Sequence, residues 1–250
     1  MMKKGLLYAF VLMICVVAGC KKDGQKSKIY LVKQQITDAS AEGLPLDTAN
    51  YTYDDQNRII KITDGTHPNM VTFTIAYDSE NRVTTASKYA DNGNQIIEFD
   101  FFYNTGSSGY IFHGSSLADT AYFTFNSKKQ VSVINTKHSG SQQFTYDGGG
   151  NVATTTAVNV DGSIDLGDET SFAYDNQKNP FSDIPANNYF FMYIVKIGNP
   201  STLINNVVVR DADRYTYKYN SAGFPTSGSI ATLTATSAVT LYVYYNYIVK

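Results

Sequence analysis

One phrase recurs through this chain and restricts the folds open to it more than any other feature. It is an aromatic or β-branched residue, any residue, Tyr or Phe, then Asp or Asn. It reads YTYDDQNRI from Tyr51, IAYDSENRV from Ile75, FFYNTGSSGYI from Phe101, FTFNSKKQV from Phe123, FTYDGGGNV from Phe144, FAYDNQKNP from Phe172 and YKYNSAGFP from Tyr217. The third position is held by Tyr53, Tyr77, Tyr103, Phe125, Tyr146, Tyr174 and Tyr219. Successive third positions lie 21 to 28 residues apart, except for the step of 45 from Tyr174 to Tyr219, which places an insertion at about 176–213. A fixed period of this length marks an array of similar supersecondary units.

The physical chemistry of one unit is simple. Residues two apart in a strand share a face, so both rings of the phrase bury together. The Asp or Asn that follows bonds the backbone two residues on and starts a turn. Gly or Asn next tolerates positive φ, and a β-branched residue then opens the return strand. The three glycines Gly148, Gly149 and Gly150 are therefore turn residues, more than one tight turn requires. A second class of turn alternates with the first, at DGTHPN from Asp64, DNGN from Asp91, TKHSGS from Thr136 and VDGS from Val160. Both connections are too short for a parallel crossover, so the chain must run as an antiparallel meander.

The strands between the turns alternate. Val71, Phe73, Ile75 and Tyr77 share one face, with Thr72 and Thr74 on the other. Ile97, Phe99, Phe101 and Tyr103 oppose Glu98 and Asp100, and Leu241, Val243, Tyr245 and Tyr247 also align. One oily and one polar face is the pattern of a half-buried antiparallel sheet. The expected fold is all-β: an antiparallel meander of about fifteen strands, strongly curled or wrapped like a barrel, because so wide a sheet cannot stay flat. The insertion breaks the rhythm. In it NNYFFMYIVKIG reads as a strand or a short helix, and a short helix would cover an open end of the sheet.

The amino terminus is of another kind. Lys3 and Lys4 precede an unbroken apolar run from Leu6 to Ala18, too short to span a bilayer as a helix and suited to a secretory signal. The cleavage end VAGC resembles the lipobox of bacterial lipoproteins, which implies that Cys20 is acylated and begins the mature chain. The expected organisation is a signal peptide over 1–19, a polar tether over 20–27 and a single β domain over 28–250. The other cysteine, Cys15, lies in the signal, so the domain has no disulfide and rests on its core. The net charge is −2, or −4 once Lys3 and Lys4 are removed. With no basic stripe, nucleic acid is not an expected partner.

The phrase YDSENRV resembles the YD repeat of Rhs and teneurin-type proteins, whose repeats form shells of β-hairpins. The region from Lys28 onward is similar to a smaller family of Gram-negative lipoproteins with a porin-like meander fold and no assigned function. The shared features are the Tyr-Asp-x-x-x-Arg hairpins and the run Lys178, Asn179, Pro180, Phe181 before an insertion. The chain departs from the strict pattern after Tyr103 and Phe125, where the Arg is missing. The resemblance carries no catalytic residue. A porin turns its apolar face to lipid. Short strands, a terminal YIVK and the lipid on Cys20 point instead to an anchored domain standing in water.

Few side chains suggest chemistry. Asp161, Ser163, Asp165 and Glu169 loosely mimic a calcium loop, although Asp161-Gly162 is also a good turn and the glycine offset is wrong. His67, His113 and His138 fall in or beside expected turns, without the paired spacing of zinc ligands. Ser115 and Ser116 lack the Gly-x-Ser-x-Gly elbow, and Asp54-Asp55 reads as turn chemistry. No cofactor and no metal is expected. The resulting expectation is a non-enzymatic structural or binding module of the cell envelope, held in the outer membrane by acyl chains on Cys20, its ligand a glycan or a protein. Lys21, in place of Asp after Cys20, favours the outer membrane by resemblance to lipoprotein sorting. The alternative is a glycan-binding or glycan-processing surface protein. Exposed Tyr could stack on sugars, though the absence of Trp weakens that reading. A hydrolase would need two carboxylates converging inside the sheet.

Overall fold

The computed structural model describes residues 27–38, 45–65, 71–90, 92–104, 107–114, 118–138, 140–164, 169–184, 204–233 and 238–250. Sixteen strands run in chain order: β1 (Tyr30–Asp38), β2 (Pro45–Tyr53), β3 (Ile59–Asp64), β4 (Val71–Tyr77), β5 (Val83–Tyr89), β6 (Gln95–Asn104), β7 (Ser107–Gly114) and β8 (Ala118–Phe125) make the first half. The second half is β9 (Val131–Thr136), β10 (Gly140–Tyr146), β11 (Val152–Val158), β12 (Thr170–Lys178), β13 (Asn205–Arg210), β14 (Asp213–Tyr219), β15 (Pro225–Leu233) and β16 (Ala238–Val249). Each strand pairs antiparallel with its sequence neighbours, and β16 returns to β1, so the meander closes into a barrel. The expected curl is thus a full closure, which leaves no edge unpaired among the described strands.

Five of the phrases end an even-numbered strand whose return strand opens with a bulge; β6 meets β7 without one, and β12 runs on past Tyr174 to Lys178. Tyr53 faces Ile59 while Thr52 faces Lys61, and the same slip recurs at Tyr77, Phe125, Tyr146 and Tyr219. The turn between them is built by the acid. Asp54 Oδ1 accepts the backbone N–H groups of Gln56 and Arg58, each at 2.9 Å, and Asp78 Oδ1 does the same for Glu80 and Arg82. Asn126, Asp147 and Asn220 hold their turns by equivalent bonds. The fourth turn residue lies in the left-handed region: Asn57, Asn81, Lys129, Gly150 and Gly223 have φ between 60° and 89°. In the triple-glycine turn only Gly150 needs that freedom, and Gly148 and Gly149 have ordinary φ.

Facing pairs keep one register of sides around the whole ring. The face that carries Tyr51, Ile75, Phe99, Phe101, Phe123, Ile134, Phe144 and Val243 is buried, and in a closed sheet that is the inside. The outer face is mainly polar, although Phe102, Ile111, Tyr122, Tyr242 and Tyr244 also lie on it. Thr52 and Lys61, Thr74 and Ser87, Thr85 and Asp100, Thr145 and Thr154, and Thr216 and Ser229 stand opposite one another there. Alternation alone could not say which face was out; the burial of the ring-bearing face within the closed sheet decides it.

The ends of the chain complete an eighth unit. Tyr245 and Tyr247 on β16 occupy the two ring positions, and β1 supplies the return strand, with Val32 opposite Tyr247 and a bulge before Gln34. Ile29 and Lys250 exchange backbone hydrogen bonds of 3.0 and 3.1 Å where other units have a turn.

The span 176–213, expected as an insertion, is described only at its two ends. Its far end contains the regular strand β13 and the start of β14. The helix expected in NNYFFMYIVKIG falls outside the described residues. The described piece that follows β12 crosses the end of the barrel. Phe181 packs edge-on against Tyr51 of β2 with ring centroids 5.3 Å apart, and Asp183 accepts the Tyr30 N–H of β1 at 2.8 Å. In strand order β12 lies five places from β1, so residues 179–184 plug that end from one side to the other. Phe181 is 2% exposed and Ile184 is also buried.

Candidate functional site: the inner wall of the barrel

The third-position rings serve the frame first. The Tyr77 hydroxyl donates to the Ile59 carbonyl at 2.7 Å, Tyr103 to Val83 at 2.9 Å, Tyr146 to Val131 at 2.6 Å and Tyr174 to Val152 at 2.8 Å. Tyr53 reaches Val32 and Tyr247 reaches Pro225 in the same way. Each acceptor opens the return strand on the neighbouring side, at the bulge, where ladder bonding is interrupted. Burial is the main cause that raises the Tyr103 hydroxyl to about 12. Two rings depart from the pattern. Phe125 has no hydroxyl and is 41% exposed; Tyr219, 36% exposed, donates to the Asp175 carboxylate.

The Asp–Arg half of the phrase ties units together. Arg58 Nε donates to Asp54 at 2.6 Å, its guanidinium lies 4.5 Å over the Tyr77 ring, and its Nη1 donates to Asn81 in the next turn. Arg82 pairs with Asp78 at 2.7 Å and covers Tyr103 at 4.7 Å. Burial raises the Asp54 carboxyl, but the Arg58 and Gln56 backbone N–H groups and the Arg58 guanidinium outweigh it and hold the group below the usual range. Where Arg is replaced by Gln130, the amide donates to the Gly150 carbonyl of the next turn. Lys250 closes the series on Asn57 at 2.7 Å.

As a general rule, a barrel of this strand number is wider than one that inward side chains alone fill completely. The inward rings Tyr215, Tyr217 and Tyr245 are accordingly only half-buried. On the wall formed by β14, β15, β16, β1 and β2, register places Tyr217, Gly228, Val243, Tyr245, Gln35, Thr37, Ala49 and Tyr51 inward. Tyr51 donates to Gln35 Oε1 at 3.3 Å. Burial and then the Tyr53, Tyr245 and Asp47 groups push the Tyr51 hydroxyl well up. Burial, then Tyr245, Tyr215, Tyr219 and Asp175, does the same to Tyr217. The phenols of this wall are therefore near enough to feel one another.

Register also turns four carboxylates inward: Asp47 on β2, Asp64 on β3, Asp119 on β8 and Asp213 on β14. Among these only Asp47 and Asp64 stand on adjacent strands. Lys88 and Arg210 also face in, opposite Phe73 and Phe172.

The remaining sequence candidates lie apart from this wall. Asp161 Oδ1 accepts the Ser163 N–H and hydroxyl, Gly162 has φ of 82°, and the stretch is a turn; Glu169 lies beyond it, and Asp165 is outside the described residues. His138 is in a turn. His113, expected beside one, is within β7 on the outer face, with Nε2 3.1 Å from Asp100. His67, Ser115, Ser116 and Cys20 fall outside the described residues. Among the described residues no three His, Cys, Asp or Glu side chains are grouped to hold a metal. Gln35 had no signal in the sequence. Tyr217 occupies the first ring position of its phrase, and Tyr245 was visible only as a member of an alternating strand.

No family model matches the chain. No curated protein matches it either. Among solved structures it is similar to a porin-like protein from Bacteroides uniformis, at 14% identity over 89% of this chain and 97% of that one, with a TM-score of 0.42. It is also similar to part of TcdB2-TccC3-TEV, at 12% identity over 82% of this chain and 14% of that one, with a TM-score of 0.27.

Proposed function

We propose that the chain is a lipid-anchored protein of the Gram-negative cell envelope, of the YD-repeat-like lipoprotein type, and a non-enzymatic structural or binding module. The observation that carries the reading is the sidedness of the barrel. A lipid-facing barrel needs an outward apolar band about 25 Å tall. Here Lys61, Glu98, Asp100 and Lys218 project outward among Thr and Ser, while the rings of the repeat point in and the outward rings Phe102, Tyr122, Tyr242 and Tyr244 lie on β6, β8 and β16. Such a barrel stands in water and needs a separate anchor, which the lipobox at Cys20 would supply through its acyl chains.

Replacing Cys20 with Ala tests this. The variant should leave the membrane fraction and run as a soluble protein with an unchanged far-UV circular dichroism spectrum. A variant that stays with the membrane, and is released only by detergent, would mean that the barrel itself is embedded. The second reading, glycan binding, is favoured by the half-buried tyrosines of the inner wall.

A further inference from the structure

We infer that Tyr217, Tyr245 and Gln35 form a binding site on the inner wall for a neutral, hydroxyl-rich ligand of the sugar class; this rests on the reading of the barrel as a binding module.

The argument starts from unspent hydrogen-bonding capacity. Inside this barrel six phenols already have a backbone carbonyl to donate to. Tyr217 and Tyr245 are different: among the described residues neither hydroxyl has a partner. Gln35 spends its oxygen on Tyr51 and leaves its amide nitrogen without one. All three residues are half-buried and inward on β14, β16 and β1. A polar group withdrawn from bulk water costs stability unless it finds a partner. Several such groups on one wall are the polar points by which a pocket orients its ligand.

The rings provide the second half of the site. A Cβ on Gly228 would stand 2.6 Å from the Thr216 carbonyl oxygen and 2.7 Å from Tyr217 Cδ1, so the glycine leaves the room that this ring occupies beside β15. A flat ring bordered by free hydroxyl and amide donors suits the C–H face and hydroxyl rim of a pyranose. Charge narrows the class further. The described inward residues of β14, β15, β16, β1 and β2 include Asp47 and Asp213 but no Lys or Arg, and the inward Arg210 of the adjoining β13 stands opposite Asp213, so this wall offers an anionic ligand no counter-charge of its own. A quaternary ammonium would suit the rings and acids but would leave the free donors unused.

The chain has 20 Tyr and no Trp, so its intrinsic fluorescence reports tyrosine alone. The protein would be titrated with maltohexaose, cellohexaose, chitohexaose and mannohexaose, with choline chloride as the cationic probe, and binding measured in parallel by calorimetry. At least one oligosaccharide should change the emission saturably. Tyr217→Phe and Tyr245→Phe remove only a hydroxyl without an internal partner, so both should fold, and each should weaken binding about tenfold. Tyr244→Phe, on the outer face of the same strand, should not. Saturation by choline alone would overturn the ligand class. Oligosaccharide binding that both inner variants leave unchanged would overturn the site but not the binding-module reading. No response to any probe would overturn both site and ligand class, while release of Cys20→Ala from the membrane reports on anchoring independently.

Discussion

At the scale of single residues, the phrase divides its work between ring and hydroxyl. The first ring fills the inside; the third reaches across to a carbonyl that the bulge has freed. Tyr146 isolates the two contributions, because its hydroxyl donates to Val131 at 2.6 Å while its ring packs on the core. Tyr146→Phe should cost about 1 kcal/mol, the net worth of one hydrogen bond plus an orphaned acceptor. Tyr146→Ala should cost about 3–5 kcal/mol, since the ring is lost as well. Urea melts of the two variants measure the difference, and equal losses would assign all of it to the hydroxyl. That Tyr146 belongs to the core was readable from the i, i+2 spacing. Its carbonyl partner was not, since Val131 lies 15 positions earlier and meets it only through pairing.

At the scale of the hairpin, the turn is a five-residue device. An acid or amide caps two backbone N–H groups, and the fourth residue turns through positive φ. Gly148→Ala should be neutral or stabilise by about 0.4–1 kcal/mol, because it restricts the unfolded chain and a Cβ there meets nothing within 4 Å. Gly150→Ala should cost about 1 kcal/mol or more, because φ there is 89°. Thermal melts of the pair would show which of the three glycines the turn uses; equal effects would contradict the assignment. These hairpins were legible in the sequence because every determinant is local. The plug was not. Phe181 and Asp183 follow a strand end like any loop, and only wrapping brings β1 and β2 within their reach.

At the scale of the molecule, the circle is the main fact. Seven phrases were visible as repeats, and the eighth was hidden because it is shared between the two ends of the chain. Tyr245 and Tyr247 stand at one end and Val32 at the other, joined by the Ile29–Lys250 pairing. A permutant that joins Lys250 to Lys28 through a short Gly-Ser linker and opens between Gly148 and Gly149 should therefore form the same barrel. It should show an unchanged circular dichroism spectrum and a cooperative melt within a few degrees of the parent. An unfolded permutant would mean that the natural order of units matters beyond their contacts. The same closure makes one wall out of β14, β15, β16, β1 and β2, so Gln35 comes to lie beside Tyr245, 210 positions away.

Ring spacing, turn chemistry and the shortness of the connections were enough to dictate an antiparallel meander, because strand, turn and bulge each depend on neighbours a few residues off. Which face turned inward, where the ends met and which phenols were left unpaired had to wait for closure. Those properties belong to the ring as a whole, and no stretch of chain shorter than the ring can express them.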